Sequence, residues 1–125
     1  MKRILVIDSD PVTSALTSQF LKNYNYEVVV AKTGKEALDL LENPDYDLVL
    51  SEVQIDGLGG FDVLKLMQKC YIDVPVIFLT ADDDPMTRIE AEGLGAKMLI
   101  SKNSEYINLP HMLDQYFFPT EDFVH

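Results

Sequence analysis

The chain has 125 residues, of which 47% are hydrophobic, and it carries a formal net charge of −11. This length fits a single domain. The negative charge argues against binding to nucleic acid or to anionic membranes, because both require basic surfaces. Cys70 is the only cysteine, so no internal disulfide forms, and we expect a cytoplasmic protein. We expect one domain over residues 1–118 and a C-terminal tail over residues 119–125.

The first predicted strand and helix lie on either side of a short polar segment. Residues 3–7 contain an apolar run typical of strands that are buried on both faces. Asp10 and Pro11 then begin a helix, with Asp10 as the N-cap and Pro11 in the first turn. The apolar residues spaced four apart, which we expect on the buried face of this helix, are Val12, Leu16 and Phe20.

Four further strand–helix pairs follow along the chain. Their strands are predicted at residues 26–30, 47–51, 74–79 and 97–100. Their helices are predicted to begin after Thr33, at Gly60, after Asp84 and after a capping Asn108. The residues expected to point inward from the second and third helices are Ala37, Leu38, Leu41, Phe61, Leu64 and Met67. This alternation predicts an α/β fold, in which a parallel sheet carries helices on both faces.

Polar side chains follow four of the five predicted strands. Glu52 stands between a buried strand and a Gly-rich loop, which places its carboxylate in a crevice at the edge where such folds bind ligands. Lys102 also follows a buried strand, where an ammonium group needs a carboxylate partner. Asp10 equally fits a helix cap with no other role. The polar residues at the strand ends are Asp8, Ser9, Asp10, Glu52, Thr80 and Lys102.

Four stretches of the chain resemble the response-regulator receiver domain, which is CheY-like, in family order and over essentially the whole length. They are ILVIDSDP, YDLVLSEVQIDGLGGFDVLKLM, VPVIFLTA and GAKMLISK. The resemblance implies a flavodoxin-like fold of five βα units with strand order 2-1-3-4-5. It also implies a signalling function, in which a histidine kinase donates a phosphoryl group to an aspartate in the presence of Mg²⁺. Phosphorylation then alters the face formed by the fourth helix, the fifth strand and the fifth helix.

The resemblance assigns roles to the residues at the strand ends. Glu52 stands where the family has its phosphoacceptor aspartate. Of the two adjacent acids that follow the first strand in the family, Asp8 is kept and Ser9 replaces the second. The switch hydroxyl and the lysine are kept at Thr80 and Lys102.

Further positions also depart from the family pattern. Leu99 stands at the aromatic switch position of the fifth strand, and Asn103 replaces the proline that follows the lysine. Asp56 replaces the loop proline after the acceptor, whereas Gly60 is kept. Without an aromatic side chain at position 99, the family's reporter of phosphorylation is missing.

These departures predict a degenerate receiver, a pseudo-receiver that is not an enzyme and needs no cofactor. Mg²⁺ usually binds through one or two carboxylates, and with Ser9 in place of an acid we expect weak or lost binding by Asp8, Asp10 and Glu52. Glu52 is also one methylene too long for a well-placed acceptor, and phosphoryl transfer depends on positioning. Glu52 then either mimics the phosphorylated state or only holds Lys102.

The resemblance places a protein partner on the face of the fourth helix, fifth strand and fifth helix. The partner is a histidine kinase or another signalling protein, and neither nucleic acid nor a membrane is expected. Ile89 and Met112 also fit an ordinary core, and His111 fits a solvated position near a helix start. The predicted contact residues are Met86, Arg88, Ile89, Met98, His111, Met112 and Tyr116.

Three alternatives remain open from the sequence. The first is a receiver that still accepts phosphate weakly. The second is a haloacid-dehalogenase-type phosphatase, because residues 8–12 fit the DxDx[TV] motif, with Asp8 as nucleophile and Asp10 as acid/base. The final acid pair of that family is missing. The third is a flavodoxin-like ligand-binding domain, which lacks the Gly/Ser/Thr-rich phosphate loop.

Overall fold

The computed structural model describes residues 1–119, so most of the predicted tail, residues 120–125, lies outside the described part. None of the described helices is long and apolar enough to cross a membrane. The elements in chain order are β1 (Arg3–Ile7), α1 (Pro11–Lys22), β2 (Glu27–Ala31), α2 (Gly34–Leu40), β3 (Leu48–Ser51), α3 (Gly60–Lys69), β4 (Val76–Thr80), α4 (Pro85–Gly93), β5 (Met98–Ser101), a 3₁₀ turn (Tyr106–Asn108) and α5 (Leu109–Phe117).

The five strands form one parallel sheet with the order β2-β1-β3-β4-β5, which confirms the predicted fold. Strand order reverses at β1, which pairs with both β2 and β3. In this register Ile7 lies opposite Ser51, and the amide of Glu52 donates to the carbonyl of Ile7 at 2.9 Å. The residues that follow β1 and β3 are therefore neighbours at the carboxyl edge of the sheet.

Alternate residues of each strand enter two separate cores, which explains the continuous apolar runs in the sequence. Leu5, Val49 and Phe78 pack with residues of α2, α3 and α4 on one face. Ile4 and Leu50 pack with residues of α1 and α5 on the other face. The sheet is thus covered on both sides, and only its edges and strand ends remain open to polar chemistry.

The predicted buried face of α1 is wrong for Val12 and Leu16, whereas Phe20 is half-buried and packs against the core on the α1 and α5 side. Val12 and Leu16 are 67% and 59% exposed, and hydroxyl residues line the buried face instead. Thr17 is buried because its hydroxyl bonds to the hydroxyl of Tyr106 at 2.7 Å. A buried polar group that has a hydrogen-bond partner costs little, and small side chains bring a helix close to the sheet. The buried residues of α1 are Ser14, Thr17, Ser18 and Leu21.

Asn108 is the N-cap residue of α5, as predicted, but its side chain does not cap the helix. The side chain of Asn108 makes no capping hydrogen bond, because the 3₁₀ turn Tyr106–Asn108 leads directly into the helix. Pro110 lies in the first turn of α5, where its missing N–H costs no helical hydrogen bond. The inward positions predicted for α2 and α3 are confirmed for Ala37 and Met67, which are both buried.

Candidate functional site

A cleft at the carboxyl edge of the sheet brings the predicted site residues together. It has a volume of about 430 Å³, and a second cavity of about 360 Å³ extends it toward Thr80 and Asp82. The 430 Å³ cavity is lined by residues that follow β1, β3, β4 and β5, as expected at the point where strand order reverses. Its lining residues are Asp8, Ser9, Asp10, Thr13, Glu52, Gln54, Asp56, Ala81 and Lys102.

Lys102 links two carboxylates at the centre of this cleft. Its Nζ donates to Oδ2 of Asp8 at 2.7 Å and lies 3.4 Å from Oε1 of Glu52. The three side chains are only 15%, 9% and 12% exposed, respectively, so water screens the charges weakly. Burying charged groups is costly unless they are paired, and each member of this set has an opposite charge beside it. We call Asp8, Glu52 and Lys102 the ion triad.

Both carboxylate oxygens of Glu52 already accept hydrogen bonds. Oε2 accepts from the amide of Val53 at 2.7 Å, and Oε1 accepts from the amide of Ala81 at 3.4 Å in addition to Lys102. The backbone of Glu52 lies close to the start of α3, because a β-carbon on Gly60 would come within 2.4 Å of the Glu52 carbonyl oxygen. Only glycine lets α3 begin so close to the end of β3. The carboxylate of Glu52 lies in the cleft and is held there by Lys102 and the amides of Val53 and Ala81.

The other residues after β1 also have local partners. The hydroxyl oxygen of Ser9 accepts a hydrogen bond from the amide of Asp56 at 2.8 Å, which ties the β1–α1 segment to the loop after β3. Oδ1 of Asp8 accepts from the amide of Asp10 at 2.9 Å. Ser9 therefore joins two loops and brings a neutral hydroxyl to the place where the resemblance expects an acid.

Asp10 is the N-cap of α1, as predicted. Its carboxylate accepts from the amides of Val12 and Thr13, each at 3.3 Å, and from the hydroxyl of Thr13. The hydrogen bond from the Thr13 hydroxyl is the main reason that the pKa of Asp10 lies below its ordinary value. Because this carboxylate faces the helix, the acid/base role that the phosphatase alternative gives to Asp10 has no support in the geometry.

The residues of the cleft do not fit a Mg²⁺ site with two direct carboxylate ligands. Asp8 and Glu52 are paired with Lys102, Asp10 faces α1, and Ser9 is neutral. Within residues 1–119, no group of three or more His, Cys, Asp or Glu side chains is arranged to hold a metal ion. The ammonium of Lys102 supplies the positive charge in this cleft.

Comparison with known proteins identifies the family. The profile of the response regulator receiver domain matches residues 4–114. The chain belongs to this family. The transcriptional regulatory protein CrdR of Helicobacter pylori is 33% identical over 115 residues, which are 91% of this chain and 51% of that protein. The sensor kinase/phosphatase CqsS of Vibrio cholerae is 31% identical over 107 residues, which are 83% of this chain and 16% of that protein.

A solved structure agrees with this assignment. The Francisella response regulator 1452 receiver domain has a TM-score of 0.87 and 26% identity, and the match covers 97% of this chain and 100% of that one. The chain spans about half the length of the curated response regulators that it matches. It is thus a receiver domain of the two-component type, a class of signalling module that interacts with histidine kinases and other signalling proteins.

The receiver's β4–α4 loop is joined to the segment after β5 by contacts that the sequence did not reveal. Oδ1 of Asp83 accepts from the hydroxyl of Ser101 at 2.7 Å, and Oδ2 accepts from the side-chain amide of Asn103 at 2.6 Å. These hydrogen bonds, that from Ser101 first, hold the pKa of Asp83 below its ordinary value. Thr80 is buried, and its hydroxyl oxygen accepts from the amide of Asp82 at 3.1 Å.

A second set of contacts fixes α4 against β5. Arg88 donates to the carbonyl of Leu99 at 2.9 Å and lies 3.8 Å from Glu105. Glu105 in turn accepts from the amide of Ser101 at 3.0 Å. Leu99 itself is only 4% exposed and belongs to the core on the α3 and α4 side. The helix, the strand and the following loop are therefore held together by one charged network.

The predicted partner face of the receiver is partly exposed. Met86 and Ile89 are 64% and 62% exposed, so the interpretation of Ile89 as a core residue is wrong. His111 is exposed, as expected for a solvated residue near a helix start. Arg88 is exposed as well, and the half-buried members of the face are Met98, Met112 and Tyr116.

Proposed function

We propose that this receiver domain, over residues 1–118, is a pseudo-receiver that binds a signalling partner independently of phosphorylation. The observation that carries the proposal is the ion triad. Lys102 occupies the space between Asp8 and Glu52, and both oxygens of Glu52 accept hydrogen bonds from within the protein. In this arrangement each carboxylate oxygen of Glu52 accepts at least one hydrogen bond, and Asp8 and Glu52 are both paired with Lys102.

The chemistry of phosphoryl transfer supports this proposal. Transfer depends on placing the nucleophile in line with the phosphoryl group and on neutralising charge that spreads over its oxygens. To attack, Glu52 would have to leave the amide of Val53 and the ammonium of Lys102. The neutral Ser9 cannot replace the negative ligand that would draw Mg²⁺ into the cleft.

The contacts of Glu52 favour a holding role over full mimicry of phosphate. Its carboxylate accepts from Lys102 and from the amide of Ala81, whereas the hydroxyl oxygen of Thr80 accepts from the amide of Asp82 and is not bonded to Glu52. A carboxylate also carries one negative charge, compared with about −1.5 to −2 for a phosphoryl group. We therefore propose that Glu52 keeps Lys102 in place and that the domain has one stable conformation.

The same reasoning supports a fixed output face. The Arg88 network ties α4 to β5, and Asp83 ties the preceding loop to Ser101. The exposed part of this face combines thioether and aliphatic groups with a cation, which suits a protein surface that is apolar at its centre. We propose that the partner contacts Met86, Arg88, Met98, His111, Met112 and Tyr116.

Exposure to acetyl phosphate and Mg²⁺, followed by intact mass, tests the proposal. We expect no stoichiometric phosphoryl adduct on the wild type, whereas the restored variant Ser9→Asp/Glu52→Asp gains one. The restored variant serves as the positive control for the reagent. A full gain of one phosphoryl group by the wild type that is lost in Glu52→Gln would contradict the proposal, and a slow partial gain would favour the weakly phosphorylated alternative.

A partner search separates docking from switching. The wild type and the restored variant are used as bait in parallel, each with and without acetyl phosphate. We expect the wild type to bind the same partner under both conditions. Binding that occurs only with the phosphorylated restored variant would refute the docking function.

A further inference from the structure

An open cavity of about 490 Å³ lies at the opposite end of the sheet from Glu52, between the ends of α2 and α3. This end of the domain carries the loops that enter β3 and β4, and it takes no part in the proposed output face. Its walls are apolar and come from Leu38, Leu41, Leu66 and Ile72.

The rim of this cavity is acidic. Asp39 and Glu42 line it, both are exposed, and neither forms an ion pair within the described part of the chain. None of the lining residues is a lysine or an arginine. An apolar depression with two unpaired carboxylates at its rim is complementary to apolar side chains that are flanked by cations.

Tyr71 lies at the edge of the cavity, with an unfavourable backbone conformation and an exposed aromatic ring. It is 94% exposed, and its φ of +58° lies in the left-handed region that bulky residues rarely adopt. It follows the last turn of α3, where its amide bonds to the carbonyl of Gln68, and glycine is the usual residue at such a position. A large aromatic ring here contributes little to the packing of the domain, but it offers contact area to another molecule.

We propose that this cavity binds a short amphipathic helix of a partner protein. The apolar side chains of the helix enter the cavity, and its lysines or arginines pair with Asp39 and Glu42. The ring of Tyr71 packs against the side of the helix. A second copy of this chain is a poor occupant, because a symmetric contact brings identical acidic rims together. Residues 120–125 are equally unsuited, since they contain Glu121 and Asp122 and no lysine or arginine.

The probe is a helical peptide of leucine, lysine and alanine with leucine on one face, titrated into the ¹⁵N-labelled chain. We expect amide shifts at residues 38–44 and 66–72. Asp39→Asn/Glu42→Gln weakens binding by about tenfold. Tyr71→Gly weakens it similarly while preserving the fold, because glycine accepts the left-handed backbone.

Two controls make the test specific. Glu90→Gln/Glu92→Gln removes the same number of charges from exposed positions of α4, and we expect less than about a twofold loss of affinity. A peptide with glutamate in place of lysine does not bind. The proposal is overturned if the peptide fails to bind, if both charge variants weaken binding equally, or if Tyr71→Gly binds as tightly as the wild type. Self-association of the chain that Tyr71→Gly abolishes would overturn the choice of occupant.

Discussion

Removing the ammonium of Lys102 is the most direct test of the ion triad. In Lys102→Met the carboxylates of Asp8 and Glu52 lose the cation that lies 2.7 Å and 3.4 Å from them. Removing one partner of a buried ion pair typically costs about 3–5 kcal/mol, because the remaining charge is left without compensation. These side chains keep 9–15% exposure, which admits some water, so we expect a loss of about 2–4 kcal/mol.

Urea unfolding followed by circular dichroism measures this loss. With a slope of about 1–3 kcal/mol/M, the midpoint of Lys102→Met falls by about 0.7–4 M. Lys65→Met is the matched control, since Lys65 is exposed on α3, and its effect stays within about 0.5 kcal/mol. A loss below about 1 kcal/mol in Lys102→Met would refute the closed triad, because an exposed surface pair loses no more than that.

Three further predictions concern other parts of the domain. Ser101→Ala removes the main hydrogen bond to Asp83. The pKa of Asp83 therefore moves up toward the ordinary value of 3.8, which a carboxyl NMR titration measures. Because the pKa of Asp83 is lowered in the folded protein, its contact with Ser101 stabilises the fold above pH 3.8, and this stabilisation is lost as the pH falls through the folded pKa. We therefore expect Ser101→Ala to lose less stability on acidification than the wild type. A titration of Asp83 that is unchanged in Ser101→Ala would contradict this contact. Gly60→Ala places a β-carbon 2.4 Å from a backbone oxygen, and we expect a loss of more than about 2 kcal/mol on thermal unfolding. A near-neutral result would contradict the close approach. Leu16→Ala changes stability by less than about 0.5 kcal/mol because Leu16 is exposed, whereas a core position would lose about 2–5 kcal/mol.

The sheet was predictable because its signals are local. Each strand is a short apolar run, and the alternation of strands and helices restricts the topology to a few parallel arrangements. The boundaries moved by a residue or two, as at β4, which begins at Val76 rather than at residue 74. The strand ends were also predictable, so Glu52 and Lys102 could be placed at one edge before any distance was known.

The face of α1 and the loop contacts were not predictable in the same way. The spacing of Val12, Leu16 and Phe20 indicated an apolar face. The helix instead buries hydroxyl residues, and the partner of the Thr17 hydroxyl, Tyr106, lies far along the chain. The contact between Asp83 and Ser101 likewise joins the β4–α4 loop to the end of β5, and no sequence pattern indicates how close these two segments lie in space. Asn103, at the place where the family has proline, was the one signal in the sequence that pointed to this region.

The residues at positions 9 and 52 together determine the net charge of the cleft. Two carboxylates and one ammonium leave the ion triad with a single negative charge, which the surrounding amides of Val53 and Ala81 help to stabilise. A third carboxylate at position 9 would make the cleft more negative and would favour a divalent cation.

We therefore expect Ser9→Asp to be less stable than the wild type in EDTA by about 1 kcal/mol, because like charges are brought together. In Ser9→Asp/Glu52→Asp, Mg²⁺ at ten times its dissociation constant would restore about 1.4 kcal/mol, whereas the wild type gains nothing measurable. Thermal unfolding of the three proteins in EDTA and in Mg²⁺ makes the comparison, with Ca²⁺-free buffers throughout. If Mg²⁺ stabilised the wild type as much as it stabilises Ser9→Asp/Glu52→Asp, the metal would bind in the cleft despite Lys102. That result would refute the proposal of a pseudo-receiver.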